Sequence, residues 1–206
     1  MNLRLPDLSQ PVEEVAAHLL GCLLSTQAEE GGVVVRLTEV EAYAGMADPA
    51  SHAYRGPSRR NAVMFGPAGH LYVYHSYGMH WCVNVVTGQE GTASAVLLRA
   101  GEVIEGEELA RARRGERTTA RNLARGPGNL TQALGLTGEH YGVNLLGHGP
   151  VRLEPPRCAV GPVRHGPRVG VSRAADWPWR WWLEGEPSVS AYRKAVPRRK
   201  RLPVSE

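Results

Sequence analysis

No segment constrains the fold more than VVVRLTEVEAY, residues 33–43, which is rich in β-branched residues and reads as a strand. Side chains alternate faces along a strand, so Val33, Val35, Leu37, Glu39 and Glu41 are expected on one face. Three apolar residues aim that face at a core, and the row then ends in two carboxylates followed by Tyr43. A carboxylate that extends a core-facing row is desolvated unless it lines a cavity. Two readings stand for it. One is a buried structural carboxylate paired with an arginine; the other is a general base poised by its surroundings.

The rest of the chain supplies partners for this strand. Residues 11–20, PVEEVAAHLL, place Val12, Val15, Ala16, Leu19 and Leu20 at helical spacing after an opening proline. Gly31-Gly32 reads as a turn. GHLYVYHSYGMHWCVNVV, residues 69–86, reads as a hairpin: strands over 71–75 and 81–86 joined through SYGM. Residues 93–100 read as a strand and 103–114 as a helix with acidic residues early and basic residues late. A Gly-Pro-Gly break precedes a short helix over 129–134, and from Val151 onward the chain shows short strands, RVGVS and WRWWLE among them. Strands and helices do not alternate regularly. The expectation is therefore an α+β fold: a single mixed domain over residues 1–206, with a curved, mostly antiparallel sheet flanked by helices.

Composition narrows the class. A chain of 206 residues, 42% hydrophobic and 21% charged, has the make-up of an ordinary globular protein with one sizeable core. No apolar run reaches the roughly 18 residues of a membrane helix, and MNLRLPDLSQ lacks a signal-peptide pattern, so a cytoplasmic protein is expected. Cys22, Cys82 and Cys158 form no CxxC pair and are expected as buried, reduced thiols. The net charge of +4 permits a polyanionic partner without demanding one. Arginines gather at 55–60, 111–125 and in RRKR at 198–201, which fits either a solvated surface or a nucleic-acid face.

Polar aromatics crowd the hairpin. Tyr72 and Tyr74 share a face of its first strand, and Tyr77 sits at the turn beside Gly78. An aromatic at a hairpin tip is either a surface tyrosine or a wedge for something flat. Asn84 lies inside the apolar strand WCVNVV, where a buried amide must find partners. Arg99 ends the apolar run AVLLR and calls for a carboxylate partner, with Glu39 and Glu41 as candidates. The histidines show no HExxH or CxxH spacing, and no metal site is expected.

EVEAYAGMADPASHAYRG, RNAVMFGPAGHLYVYHSYGMHWCVNVV, AVLLRA and GPGNLTQALG together resemble the alkyladenine (3-methyladenine) DNA glycosylase family, and RVGVSRAADWPWRWW resembles that family's C-terminal segment. The resemblance spans about residues 3–189; the basic tail 197–206 lies beyond it and is expected to be disordered. It implies a monofunctional enzyme, active without metal or cofactor, that hydrolyses the N-glycosidic bond of damaged purines in double-stranded DNA. Glu41 matches the base that activates water, and Arg99 the arginine that helps hold it. Tyr43, His52 and Tyr74 match the aromatic walls around the flipped base. Tyr77 matches the side chain that enters the vacated place in the duplex, on a protruding hairpin. Asn84 matches the residue that meets the amine of normal guanine, and a backbone carbonyl near Val169–Val171 is expected on the water. His75, Ser76 and His80 stand where some relatives carry apolar residues or tyrosine.

Arg59, Arg60 and Arg125 are candidates for phosphate contacts. A DNA-associated monomer is the expected form. Two other readings remain open on the residues alone: a hydrolase of small nucleosides, and a module that binds distorted DNA without cutting it. Glu41→Gln separates them, since it abolishes cutting in an enzyme and changes little in a pure binder.

Overall fold

The computed structural model describes residues 3–195, which contain three α-helices and nine strands. In chain order these are α1 (Val12–Leu19), β1 (Leu23–Ala28), β2 (Gly31–Tyr43), β3 (Leu71–Ser76), β4 (His80–Thr87), β5 (Ser94–Glu105), α2 (Glu107–Arg114), β6 (Ala124–Arg125), α3 (Pro127–Leu134), β7 (Val151–Glu154), β8 (Val163–Gly166) and β9 (Arg180–Leu183). The strands form one curled antiparallel sheet in the order β3-β4-β5-β2-β1-β7, with β6 on β5, and with β9 joining β2 to β8. The fold is thus α+β, as the irregular succession of elements implied.

β2 is the central strand. β5 runs along one edge of it, while β1 pairs with its first half and β9 with residues 39–41 on the other edge. The three helices pack on the sheet. They close a core in which Leu19 of α1 and Leu130 of α3 meet Leu37, Leu71, Leu98 and neighbouring strand residues. A smaller cluster on the opposite face holds Ala53, Met64, Tyr72, Val86, Ala93 and Ala95 beneath the long connection between β2 and β3.

The alternation expected along β2 breaks in its middle. Leu37 pairs with Gly101 and Val40 with Leu98, but between them Glu39 pairs with Ala100, leaving Thr38 and Arg99 without ladder partners. These paired bulges flip the parity of both strands. Val33, Val35 and Leu37 face the main core before the bulge, and Val40 and Ala42 face it afterwards. Glu39 and Glu41 therefore do not extend the Val33–Leu37 row; they lie on the opposite face.

Other expectations need correction. The first hairpin turns at Glu29-Glu30, and Gly31 and Gly32 already pair with Ala28 and Gln27. Residues 103–105 continue β5, and the helix starts only after Gly106. Gly106 has φ 75°, and a Cβ there would fall 2.1 Å from the Gly32 carbonyl oxygen, so the strand-to-helix bend needs glycine. The third helix starts at Pro127, two residues earlier than expected, with proline at its N-terminus. RVGVS, residues 168–172, forms no strand. Cys22 and Cys82 are buried but Cys158 is exposed. The basic tail 197–206 lies outside the described residues. Among those described, no helix is long and apolar enough to cross a membrane.

Candidate active site

Register brings the polar residues of the sheet into one row. Tyr72 pairs with Asn84, Asn84 with Leu97, Leu97 with Glu41 and Glu41 with Arg180. Directly paired residues share a face, so these five stand side by side across β3, β4, β5, β2 and β9, about 4.8 Å apart from strand to strand. Tyr74 and Cys82 are paired on the same face one step along, as are Tyr43 and Ala95. Over this face lies a cavity of about 590 Å³. The sheet supplies Tyr43, Tyr72, Tyr74, Asn84, Leu97 and Arg99 to its lining. The loops add residues 49–52, Arg60, Met64 and 169–173, and His75, Ser76 and Tyr77 reach it from the hairpin.

Glu41 has no exposed surface and sits behind this lining. Its Oε2 accepts the Tyr43 hydroxyl at 2.8 Å and its Oε1 accepts the Val169 N–H at 2.7 Å. Arg99 Nε stands 3.4 Å from the same Oε1. Each of the three groups touching the carboxylate therefore belongs to a residue of the cavity wall. Burial, then the neighbouring Glu41, push the Tyr43 phenol well above its ordinary range, so it stays a donor to the carboxylate. For Arg99 burial alone would weaken proton affinity, but Glu41 and Glu39 outweigh it and hold the guanidinium charged.

Glu39 is equally buried but differently held. It accepts from Arg99 Nε (2.9 Å), Arg180 Nε (2.7 Å), the Ser190 amide (2.7 Å) and the Ser190 hydroxyl (2.9 Å). Burial would raise its carboxyl; Arg99, Arg180 and the Ser190 amide overcome that and hold it below the usual carboxylate range.

The aromatic wall is joined by contacts among its members. Tyr72 and Tyr74 stack with centroids 5.6 Å apart, and His52 meets Tyr74 edge-on at 4.5 Å. His52 Nδ1 and the Tyr72 hydroxyl share a hydrogen bond of 2.9 Å. His52 keeps an exposed outer edge while its ring is packed against these tyrosines. That desolvation, then the nearby Arg60, lower its imidazole to about 4. Burial likewise pushes the Tyr72 phenol to about 12. Asn84 is 4% exposed, and its amide nitrogen donates to the Tyr72 carbonyl at 3.1 Å.

The hairpin turn is a two-residue turn with φ 50° at Tyr77 and 67° at Gly78, closed by the Met79 amide on the Ser76 carbonyl. Positive φ at both central positions favours Asn-Gly. Tyrosine in that conformation costs roughly 1 kcal/mol, yet Tyr77 is 80% exposed and gains no packing in return. A strained, exposed aromatic beside a cavity is better explained by a ligand than by stability.

A sequence model described as "Methylpurine-DNA glycosylase" matches residues 7–187. The chain belongs to that family. Curated relatives agree. One from Frankia casuarinae, named "Putative 3-methyladenine DNA glycosylase", is 52% identical over 203 residues, covering 93% of this chain and 92% of that protein. Relatives of the same name from Nocardia farcinica and Cutibacterium acnes are 56% and 53% identical, covering 87% and 91% of this chain and 86% and 98% of their own. Membership in a family of DNA glycosylases makes DNA the substrate polymer and DNA repair the process.

Within this methylpurine-DNA glycosylase fold, most of the expected residues converge. Tyr43, His52, Tyr74, Tyr77, Asn84, Arg99, Val169 and Val171 all line the cavity, with Glu41 behind it. The 169–171 segment reaches Glu41 through the Val169 amide. Arg60 lines the cavity with its guanidinium 5.4 Å from the Tyr74 ring centre. Arg59 is exposed and Arg125 donates to the Val189 carbonyl; neither lines the cavity. His75 lines it and packs on Trp81, while His80 is exposed with its ring against Gly128. Sequence reasoning set Tyr72 on one face with Tyr74 but gave it no role in the site. It missed Asp48 and Arg168, whose separation of 120 positions leaves no local signal. Among the described residues, no group of three or more His, Cys, Asp or Glu side chains could hold a metal ion.

Proposed function

We propose that the protein flips alkylated or deaminated purines out of duplex DNA and hydrolyses their N-glycosidic bond with water activated at Glu41, leaving an abasic site. The observation that carries this reading is a fully buried carboxylate held against an aromatic-walled cavity, with an exposed, strained tyrosine on the adjacent hairpin. A base inside a duplex is out of reach, and extruding it costs a few kcal/mol. Tyr77 offsets part of that cost by filling the gap, and Tyr43, His52 and Tyr74 replace the lost stacking.

In the chemical step the C1′–N bond breaks with its electron pair leaving on the purine, and C1′ takes on oxocarbenium character. Ionised Glu41 stabilises that charge and takes the proton of the water whose oxygen bonds to C1′. Tyr43, Arg99 and the Val169 amide hold the carboxylate in position. A cationic base such as 3-methyladenine or 7-methylguanine departs neutral. Hypoxanthine or ethenoadenine needs a donor at the base. Asn84 serves selectivity by opposing the amine of normal guanine. Among the described residues, no lysine lines the cavity, which supports a water nucleophile and no strand cleavage.

The test is single-turnover release of base from duplexes carrying one hypoxanthine, ethenoadenine or 7-methylguanine. Release by the wild type and not by Glu41→Gln is expected. Binding without release of any lesion would replace this reading with a damage-binding module, and release only from free nucleosides would favour a small-molecule hydrolase. A borohydride-trapped protein–DNA adduct would overturn the absence of lyase chemistry.

A further inference from the structure

We propose that Arg168 is a positioning residue for Glu41. Clamped on Asp48, it delivers the Val169 N–H to the carboxylate and holds the three backbone segments of the site in one arrangement. The inference rests on the reading of Glu41 given above.

Arg168 is 1% exposed and Asp48 not at all. The guanidinium grips both oxygens of Asp48: Nη1 donates to Oδ2, and Nη2 to Oδ1 at 2.9 Å. Nη1 also donates to the Ala42 carbonyl at 2.9 Å. One side chain thus joins the end of β2, between Glu41 and Tyr43, to the loop that carries His52 and to the segment that carries Val169 and Val171. Its Cζ lies 4.6 Å from the Tyr43 ring centre, and the rings of Trp177 and Trp179 stand at 5.8 and 5.3 Å.

The link to Glu41 is short: one peptide bond, then the 2.7 Å hydrogen bond from the Val169 N–H. The Val169 N–H belongs to the planar peptide that joins Val169 to Arg168, so anchoring Arg168 fixes the direction of that N–H. No ladder does this instead, because residues 168–172 pair with no strand. The nearest other backbone tie is the Gly170 amide on the Arg193 carbonyl.

Stability alone gives a poor reason for this pair. Buried ion pairs are often no better for folding than apolar residues of the same size. This one also leaves Arg168 Nε buried without a partner, an added cost. A planar fork that reaches a carboxylate and a carbonyl together is something arginine does and lysine does not.

The experiment compares Arg168→Lys and Asp48→Asn with wild type. Asp48→Asn keeps an oxygen for the Ala50 amide, which Asp48 Oδ1 accepts at 2.9 Å. Three quantities are read: single-turnover release of hypoxanthine, affinity for a duplex with a tetrahydrofuran abasic analogue, and hydrogen exchange of the Val169 amide. Release is expected to slow by about 10- to 100-fold, as small misplacements of catalytic groups do. Affinity should stay within about threefold of wild type, and Val169 exchange should quicken at least about tenfold, because its hydrogen bond opens more often. Unchanged exchange, or unchanged release despite faster exchange, would overturn the proposal. Release, affinity and melting temperature falling together in both variants would reduce the clamp to a structural pair and overturn it too. Should wild type release no base, the function proposed above fails, and Val169 exchange in Asp48→Asn alone decides whether the clamp holds that amide.

Discussion

Glu39 and Glu41 stand two residues apart on one face of β2, both without exposed surface, and the protein surrounds them differently. Glu39 meets two arginines and both donors of Ser190. Its charge is spent on joining β2, β5, β9 and the segment after β9. Glu41 meets a phenol, one amide and the edge of a shared arginine, and all three come from the cavity wall. The same chemical group two positions apart thus serves as a structural tie in one case and as a reactive candidate in the other. The difference comes from what each neighbouring strand and loop brings, not from the carboxylate.

That contrast can be broken by removing each charge. Glu41→Gln is expected to lower single-turnover excision by at least about a thousandfold, the scale of a lost general base and charge stabiliser. Its melting temperature should move little, because every contact of Glu41 has a counterpart that an amide can partly keep. Glu39→Gln should do the reverse. It leaves Arg180 and Arg99 short of a buried counter-charge and should cost about 3–5 kcal/mol of stability, read by urea unfolding. A Glu39→Gln protein that melts like wild type would dissolve the distinction.

Single donors sharpen the same contrast at smaller scale. Tyr43→Phe removes the hydroxyl on Glu41 and should slow excision by roughly tenfold, about 1.4 kcal/mol, with binding of an abasic-analogue duplex kept. Ser190→Ala removes a hydroxyl on Glu39 and should cost about 1 kcal/mol of stability with little change in the rate per folded molecule. If both variants affected rate alike, the two carboxylates would form one functional unit.

The pH dependence should divide in the same way. The Glu39 carboxyl is lower in the folded protein than its ordinary 4.5, so the unfolded chain binds more protons just below that value. Its stabilisation is present above 4.5 and lost as pH falls through the folded value, and Glu39→Gln should flatten that acid limb. The Tyr43 phenol is higher in the folded protein than its ordinary 10, so the sign reverses. Its contribution is present below pH 10 and lost as pH rises beyond, and Tyr43→Phe should flatten the alkaline limb. The smallest effect belongs to His52, lowered to about 4. Excision between pH 5 and 7 should show no limb that His52→Phe removes.

Local pattern made much of this legible before any coordinates. The strand over 33–43, the aromatic hairpin and the helix after Pro11 follow from residue types and spacing that act within a few positions, because alternation and helical period are backbone properties. Tyr77 at the hairpin tip was visible for the same reason. The arginine run at 111–114 shows the limit. It was open between a nucleic-acid face and a solvated surface, yet Arg111, Arg113 and Arg114 each hydrogen-bond to groups of their own neighbourhood, among them Glu107, Glu30 and Gln132.

By itself, then, the sequence determined most of the elements, their antiparallel class and the residues worth watching. Only the tertiary structure decided which face of β2 carries the carboxylates. The paired bulges at Thr38 and Arg99 that turn Glu39 and Glu41 away from the core exist only when β2 and β5 meet, residues some 60 positions apart. The Asp48–Arg168 clamp depends on contact across 120 positions. Alternation is a property of one strand and can be read along it. Register, bulge and clamp are properties of a pair, and a pair has no position in a linear chain.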